Sequence, residues 1–222
     1  MSAMRSLNSG RVLNDSYSSE DFSLETDVSR ETFECFLQWE VLLKRWNAKI
    51  NLVSKAALAD YWGRHALDSW QVVEHLPEGA PRIIDLGSGA GFPGIALAIA
   101  LKASGAGSVQ LVESAGKKTN FLRTVIRALD LPASATSERA EALPSEDYDI
   151  VTARAFAPLP RLLTYAQPFW GKQTKGLFLK GESAEEELTE ARKYWTFQLE
   201  TYASRTNPEG VILEVTDLSP KF

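Results

Sequence analysis

The sequence has few groups able to form a covalent or metallic cross-link. Of its 222 residues, one is cysteine and two are histidine. A lone cysteine, Cys35, excludes an intramolecular disulfide and fits a reducing compartment. It falls within an apolar helical pattern, which places it in a core. The two histidines and one cysteine lack the spacing of a metal-ligand set, so no metal is expected. No apolar run approaches the length that spans a bilayer. The first residues lack the apolar stretch of a signal peptide. The expectation is a cytoplasmic protein with no membrane partner. Excess positive charge is also missing: 24 Lys and Arg face 29 Asp and Glu, a net charge of −5. That excludes coating of nucleic acid through bulk charge and leaves room for a local basic face. Two segments are locally basic. One carries Lys44, Arg45, Lys49, Lys55 and Arg64, the other Lys117, Lys118, Arg123 and Arg127. Either segment alone also fits an ordinary solvated helix face.

What remains is ordinary globular material, 44% hydrophobic and 24% charged, long enough for one substantial core with a helical appendage. Residues 1–25 are polar and serine-rich and read as a flexible or partly ordered tail. Residues 26–78 read as an N-terminal helical region. Within it Ser29 can cap a helix over 30–46, whose inward residues by spacing are Phe33, Phe36, Leu37, Val41, Leu43 and Trp46. Two further helical pieces follow over 56–63 and 64–76. His65 and Asp68 stand three apart on one face of the second. Pro77, Gly79 and Pro81 mark the boundary to a domain over 79–222.

That domain opens on the stretch around which the chain is organised. Ile83 and Ile84 form a short buried strand with Asp85 at its end. Gly87, Gly89, Gly91 and Gly94 follow, and Pro93 suits the first turn of the apolar helix beyond. A glycine loop between a strand and a helix N-terminus is a place to hold a polar cofactor. Gly89 to Gly94 fits G-x-G-x-x-G, a weak dinucleotide signal that any glycine-rich turn of an α/β protein can also give. Here an acid and alternating glycines precede it. That arrangement resembles the cofactor loop of S-adenosylmethionine (SAM) dependent methyltransferases. SAM carries a sulfonium and an ammonium, so the Asp85 carboxylate near the loop makes electrostatic sense.

Strand and helix then alternate, with strands expected over 108–113, 133–137, 148–153 and 176–180 and helices over 116–129, 160–169 and 184–194. Glu113 ends the second strand, where an acid accepts from ribose hydroxyls. Ala140 and Glu141 follow the third, where a cofactor base can stack. Two last strand-like runs form a closing hairpin, which sets the final strand antiparallel. The predicted fold is α/β: a Rossmann-like class I SAM-dependent methyltransferase with a mostly parallel seven-stranded sheet.

Together these residues resemble the RsmG (GidB, glucose-inhibited division protein B) family. The likeness rests on Asn51-Leu52-Val53-Ser54, Arg64-His65-x-x-Asp68-Ser69, the loop from Asp85 to Ile95, Glu113-Ser114-x-Gly116-Lys117-Lys118, Ala153-Arg154-Ala155-Phe156 and Leu179-Lys180-Gly181, in matching order from about residue 31 to 216. Ala96 replaces a proline common after the loop. The resemblance implies methyl transfer from SAM to N7 of guanine 527 in the 530 loop of 16S rRNA, with the 30S subunit or an assembly intermediate as partner. It implies cofactor binding by Gly87, Phe92, Ala140, Glu141 and Arg154, with Glu113 the ribose acceptor. Asn51, Ser54, His65, Asp68 and Lys180 become candidates for the active-site rim, and Arg123, Arg154 and Lys180 for contacts to guanine O6 or phosphates. His65 and Asp68 are equally readable as a structural pair. Guanine N7 bears a lone pair and no proton, so the reaction needs no general base. Two rival functions stay open: an NAD(P)-dependent oxidoreductase, and a catalytically silent SAM-fold RNA-binding or ribosome-assembly factor. Methylation of a protein or small molecule is also compatible with the residues alone.

Overall fold

The structure of the protein is a computed structural model that describes residues 17–222. It opens with a helix, α1 (Ser19–Thr26), closed at its N-terminus by a reciprocal capping box between Ser18 and Asp21. Phe22 of α1 is fully buried, with its ring 4.8 Å from Phe36 and 5.4 Å from Trp62. Residues 17–25, expected to belong to the tail over 1–25, therefore include part of this helix. The first 16 residues of that tail lie outside the described residues, and the rest of it contributes to the core.

The next helix, α2 (Arg30–Asn47), is capped by the Ser29 side chain. It buries Thr32, Phe36, Trp39 and Leu43, a stripe at helical spacing. Two residues expected inward point outward instead: Leu37 is exposed and Val41 is 61% exposed. Positions 37 and 41 lie on another side of the helix from 36, 39 and 43, and Trp39 takes the central place. Cys35 is only half-buried against this core.

Where two plain helices were expected over 56–76, the chain makes several short turns. They are α3 (Lys55–Ala59), a π-helical turn over Trp62–Leu67, α4 (Asp68–Trp70) and a 3-10 turn over Val73–His75. The π turn carries His65 and hands directly into Asp68. Such turns are frequent at functional sites.

The sheet holds β1 (Arg82–Leu86), β2 (Ser108–Val112), β3 (Ala133–Thr136), β4 (Tyr148–Arg154), β5 (Trp170–Lys180), β6 (Trp195–Ala203) and β7 (Val211–Pro220) in the order β3-β2-β1-β4-β5-β7-β6. The pairs from β3 through β5 are parallel, while β7 runs antiparallel to both β5 and β6. Helices α5 (Gly94–Ser104), α6 (Gly116–Leu129), α7 (Leu159–Ala166) and α8 (Ala184–Ala191) connect the strands.

Alternation along β1 separates two cores, one on each face of the sheet. Ile83 joins the core shared by α2, α5 and α6, while Ile84 joins the core of α7 and α8. Residues Phe22, Phe36, Trp39 and Leu67 sit in the same cluster as Ile83 and Ile95. The N-terminal helical region is thus packed into the domain it precedes. From β1 the chain runs outward to β2 and β3, then returns to β4 on the other side of β1. That reversal opens a crevice at the carboxyl ends of β1 and β4, where open α/β sheets bind ligands.

Candidate functional site: two pockets with a shared wall

Two adjoining pockets occupy this crevice. The smaller, of about 550 Å³, is lined by Gly87, Gly89, Phe92, Glu113, Ala140 and Glu141 among others. The larger, of about 940 Å³, is lined by His65, Asp68, Gln71, Lys180, Glu187 and Thr206 among others. Val53 and residues 154–158 belong to both linings. Residues 154–158 lead out of the end of β4 and form a common wall.

The small pocket rests on the glycine loop. Gly87 has φ +70°, and a Cβ there would lie 2.2 Å from Cδ2 of Phe156. Glycine lets the Phe156 ring of the shared wall lie directly on the loop backbone. Gly89 has φ +56°, and a Cβ there would meet only the Gly87 carbonyl oxygen, at an ordinary 3.8 Å. Its N–H donates to Glu113 Oε2 at 3.0 Å, and the Ala115 N–H donates to Glu113 Oε1 at 2.7 Å. Each carboxylate oxygen keeps a further lone pair for a ligand hydroxyl. Ala140 and Glu141 open a 3-10 turn on the facing side, and Lys118, Arg139 and Arg161 complete the rim. Acceptors at Glu113, apolar walls from Leu52, Phe92 and Val112, and cations at the rim fit a nucleoside with an anionic tail.

Two expected cofactor residues lie elsewhere. Gly91 and Asp85 line neither pocket. At Gly91 a Cβ would meet Ile95 at 2.4 Å, so this glycine serves the packing of loop onto helix. Asp85 is fully buried beneath the loop, close against Gly94, and neither oxygen completes a hydrogen bond of normal geometry among the described residues. Burial pushes its pKa up to about 7, against the pull of the Ser88 hydroxyl, the Gly94 N–H and the Arg154 charge.

Arg154 is the hub of the shared wall. Its guanidinium donates to Asp68 Oδ2 at 2.8 Å and to the Arg64 carbonyl at 3.0 Å, and meets His65 Nδ1 at 3.0 Å. It also lies over the Phe92 ring, 4.8 Å from the centroid. His65 stacks on the same ring at 4.2 Å and 11°. Burial, with the Arg154 and Arg64 charges adding to it, drives the His65 pKa down to about 3. The imidazole is therefore neutral. Since Arg154 can only donate, Nδ1 accepts and the proton sits on Nε2. Sequence spacing placed His65 and Asp68 on one face; the structure joins them through Arg154.

Lys180 lines the larger pocket with its charge already engaged. Nζ donates to the Ala157 carbonyl and to Glu187 Oε2, both at 2.7 Å. Glu187 Oε2 also accepts from the Leu159 N–H at 2.7 Å, so the pair braces the shared wall from behind. Ser54 caps α3 at the rim, whereas Asn51 lines neither pocket. Arg123 is outside both linings as well; its Nε donates to the Ala135 carbonyl of β3 at 3.1 Å. Phe156, Gln71, Glu187 and Thr206 were not singled out by the sequence. Phe156 stands inside the Ala153–Phe156 motif, but the other three are recruited only by the topology.

Residues 32–209 match the family GidB, described as rRNA small subunit methyltransferase G. The ribosomal RNA small subunit methyltransferase G of Parvibaculum lavamentivorans is 48% identical over 202 residues, covering 90% of this chain and 89% of that protein. The protein of the same name from Rhodospirillum centenum is 44% identical over 206 residues, covering 93% and 94%. Among solved structures, a SAM-dependent methyltransferase from Aquifex aeolicus aligns with a TM-score of 0.53 at 13% identity, over 68% of this chain and 90% of that one. A ribosomal protein L11 methylase from Lactobacillus delbrueckii aligns with a TM-score of 0.53 at 16% identity, over 69% and 77%. At these identities the structural likeness is one of fold, and it is the Rossmann-like methyltransferase fold expected from the sequence. The extent of the family match and the identity to these relatives make the chain a member of the GidB family, rRNA small subunit methyltransferase G.

Proposed function

We propose that this chain transfers a methyl group from SAM to N7 of guanine 527 in the 530 loop of 16S rRNA, in the 30S subunit or an assembly intermediate of it. The observation that carries this reading is the pair of pockets sharing residues 154–158 at the switch point of the sheet. A cofactor in the smaller pocket and a base in the larger would meet at that wall.

SAM, when bound, supplies a methyl group activated by its sulfonium. The protein's part is to hold and orient. Glu113 and the loop from Gly87 to Gly89 hold a ribose and its tail, while Ala140 and Glu141 face the adenine. Arg154, fixed by Asp68, the Arg64 carbonyl and His65, keeps the wall in one place. Holding two reactants in line contributes up to about 7–11 kcal/mol in well-oriented systems.

The charge states agree with an acceptor that has no proton to lose. His65 is neutral with its lone pair facing Arg154, and Asp68 is ion-paired to the same residue at 2.8 Å. Neither is free to act as a base. Guanine becomes cationic as N7 is methylated, and the Asp68 carboxylate at the pocket wall opposes that charge. In A-form RNA the N7 edge faces a deep, narrow groove, so the target base must be unpaired or extruded to enter.

The test is methyl transfer from labelled SAM to undermethylated 30S subunits, with the product nucleoside identified. 7-Methylguanosine in the 530 loop is the expected product. Label on another atom or molecule overturns the acceptor assignment. Cofactor and RNA binding without transfer would favour the silent factor, and retention of a dinucleotide would favour the oxidoreductase.

A further inference from the structure

We infer that Thr206 and Gln71 are positioning residues of the transfer site: they fix Asp68, and through Asp68 they set the guanidinium of Arg154. This rests on the reading of residues 154–158 as the wall between cofactor and acceptor.

Asp68 divides its two oxygens between two tasks. Oδ2 accepts from Arg154 at 2.8 Å. Oδ1 accepts from Thr206 Oγ1 at 2.7 Å and from Gln71 Nε2 at 3.0 Å. Two donors on Oδ1 use both of its lone pairs, so the carboxylate cannot turn without losing one of them. Gln71 is itself clamped. It is buried, its Oε1 accepts from the Arg205 N–H at 3.1 Å, and its Nε2 also reaches the Asp68 carbonyl at 3.1 Å. Turning the amide over would set its oxygen against the Asp68 carboxylate, so the network admits one orientation.

Thr206 and Arg205 belong to the turn at 204–210 that joins β6 to β7. Arg205 anchors this turn separately through Glu74 at 2.7 Å. The Thr206 hydroxyl also meets Ser204 Oγ at 3.1 Å within the turn, but two backbone bonds, Ser204 N–H to the Gly210 carbonyl and Gly210 N–H to the Asn207 carbonyl, both at 2.9 Å, hold the turn without it. That hydroxyl points to Asp68, and Thr206, Asn207 and Gly210 line the larger pocket together with the shared wall. The turn that lines the acceptor pocket is thus linked through one carboxylate to the hub of the shared wall. Charge-assisted hydrogen bonds of this kind are directional, so they transmit position as well as stability.

The experiment uses the full chain with Thr206→Val, which removes the hydroxyl at nearly constant shape, and Thr206→Ser, which keeps it. Three readouts are taken: single-turnover methyl transfer to undermethylated 30S subunits, KM for those subunits, and the ¹⁵N signal of His65 Nδ1 without RNA. Thr206→Val is expected to slow transfer roughly tenfold, the loss of one hydrogen bond to a charged group, with KM changing less. Its His65 Nδ1 signal shifts as Arg154 moves, and Thr206→Ser restores both rate and signal. Transfer at the parent rate in Thr206→Val, a Ser variant as slow as the Val variant, or an unmoved His65 signal overturns the inference. If the parent itself methylates no RNA, the proposed function fails, while the His65 signal still decides the link from Thr206 to Arg154.

Discussion

Replacing Gly87 by alanine tests the contact on which the small pocket is built. The new Cβ would sit 2.2 Å from Cδ2 and 2.8 Å from Cγ of Phe156, at a residue with φ +70°. The left-handed backbone alone costs about 1–2 kcal/mol for an L side chain. Forcing a ring out of a packed contact costs about 1–3 kcal/mol more. Gly89→Ala provides the comparison, because its φ is +56° and the nearest atom to its Cβ is the Gly87 carbonyl oxygen at 3.8 Å. Only the backbone cost of about 1–2 kcal/mol applies there. Urea denaturation of both variants is therefore expected to show Gly87→Ala less stable than Gly89→Ala by about 1–3 kcal/mol. Phe156→Ala removes the clashing ring, so combining it with Gly87→Ala should recover most of that difference. The double-mutant cycle then returns a coupling energy of about 1–3 kcal/mol. Equal stabilities for the two glycine variants, or a cycle with no coupling, would refute the idea that Phe156 rests on Gly87.

Other expectations follow from the same geometry. His65 is held at a pKa of about 3 against 6.5 in the unfolded chain, so the unfolded state binds the extra proton between these values and stability falls as pH falls below 6.5. Asp85, at about 7 against 3.8 unfolded, works the other way: the folded state holds the extra proton, and stability rises as pH falls from 7 toward 3.8. The two slopes oppose each other from pH 6.5 to 3.8. Asp85→Asn removes one of them and is expected to expose a loss of about 1–2 kcal/mol between pH 6.5 and 5, read by denaturation at each pH; a slope unchanged from the parent contradicts the Asp85 assignment, and a flat slope in Asp85→Asn contradicts the His65 assignment. Lys180→Met leaves Glu187 without its cation in a mostly buried place and is expected to cost about 2–4 kcal/mol, measured the same way, where an exposed pair would cost under 1. Arg123→Ala should leave cofactor affinity unchanged by calorimetry, since its side chain bonds β3 and lines neither pocket.

The sequence made the frame of the site legible because that frame is local. A strand, a glycine loop and a helix are adjacent in the chain, so Ile83, Gly87 and Pro93 carry their own structural reasons. Glu113 was legible from its place at the end of β2. The irregular course of residues 55–75 was not. Its apolar residues fit a helical period, and nothing in that period distinguishes a π turn at Trp62–Leu67 from ordinary helix. The face of α2 was partly misread for a related reason: Leu37 and Val41 are as apolar as the residues beside them, and only packing shows that Trp39 takes the core. Asp85 was read toward the ligand because a strand end and a loop say nothing about which side of the loop a carboxylate takes. The partners of Asp68 were out of reach, since Thr206 lies 138 residues away and meets it only because β7 folds back between β5 and β6.

The two pockets divide the labour of the site across one wall. The most direct measurement is a crystal structure of the full chain with S-adenosylhomocysteine, the demethylated product of SAM. The nucleoside is expected in the smaller pocket, its ribose hydroxyls on Glu113, its adenine beside Ala140 and Glu141, and its sulfur turned toward residues 154–158. A nucleoside seated in the larger pocket among His65, Asp68 and Thr206, or a ribose away from Glu113, would contradict this division.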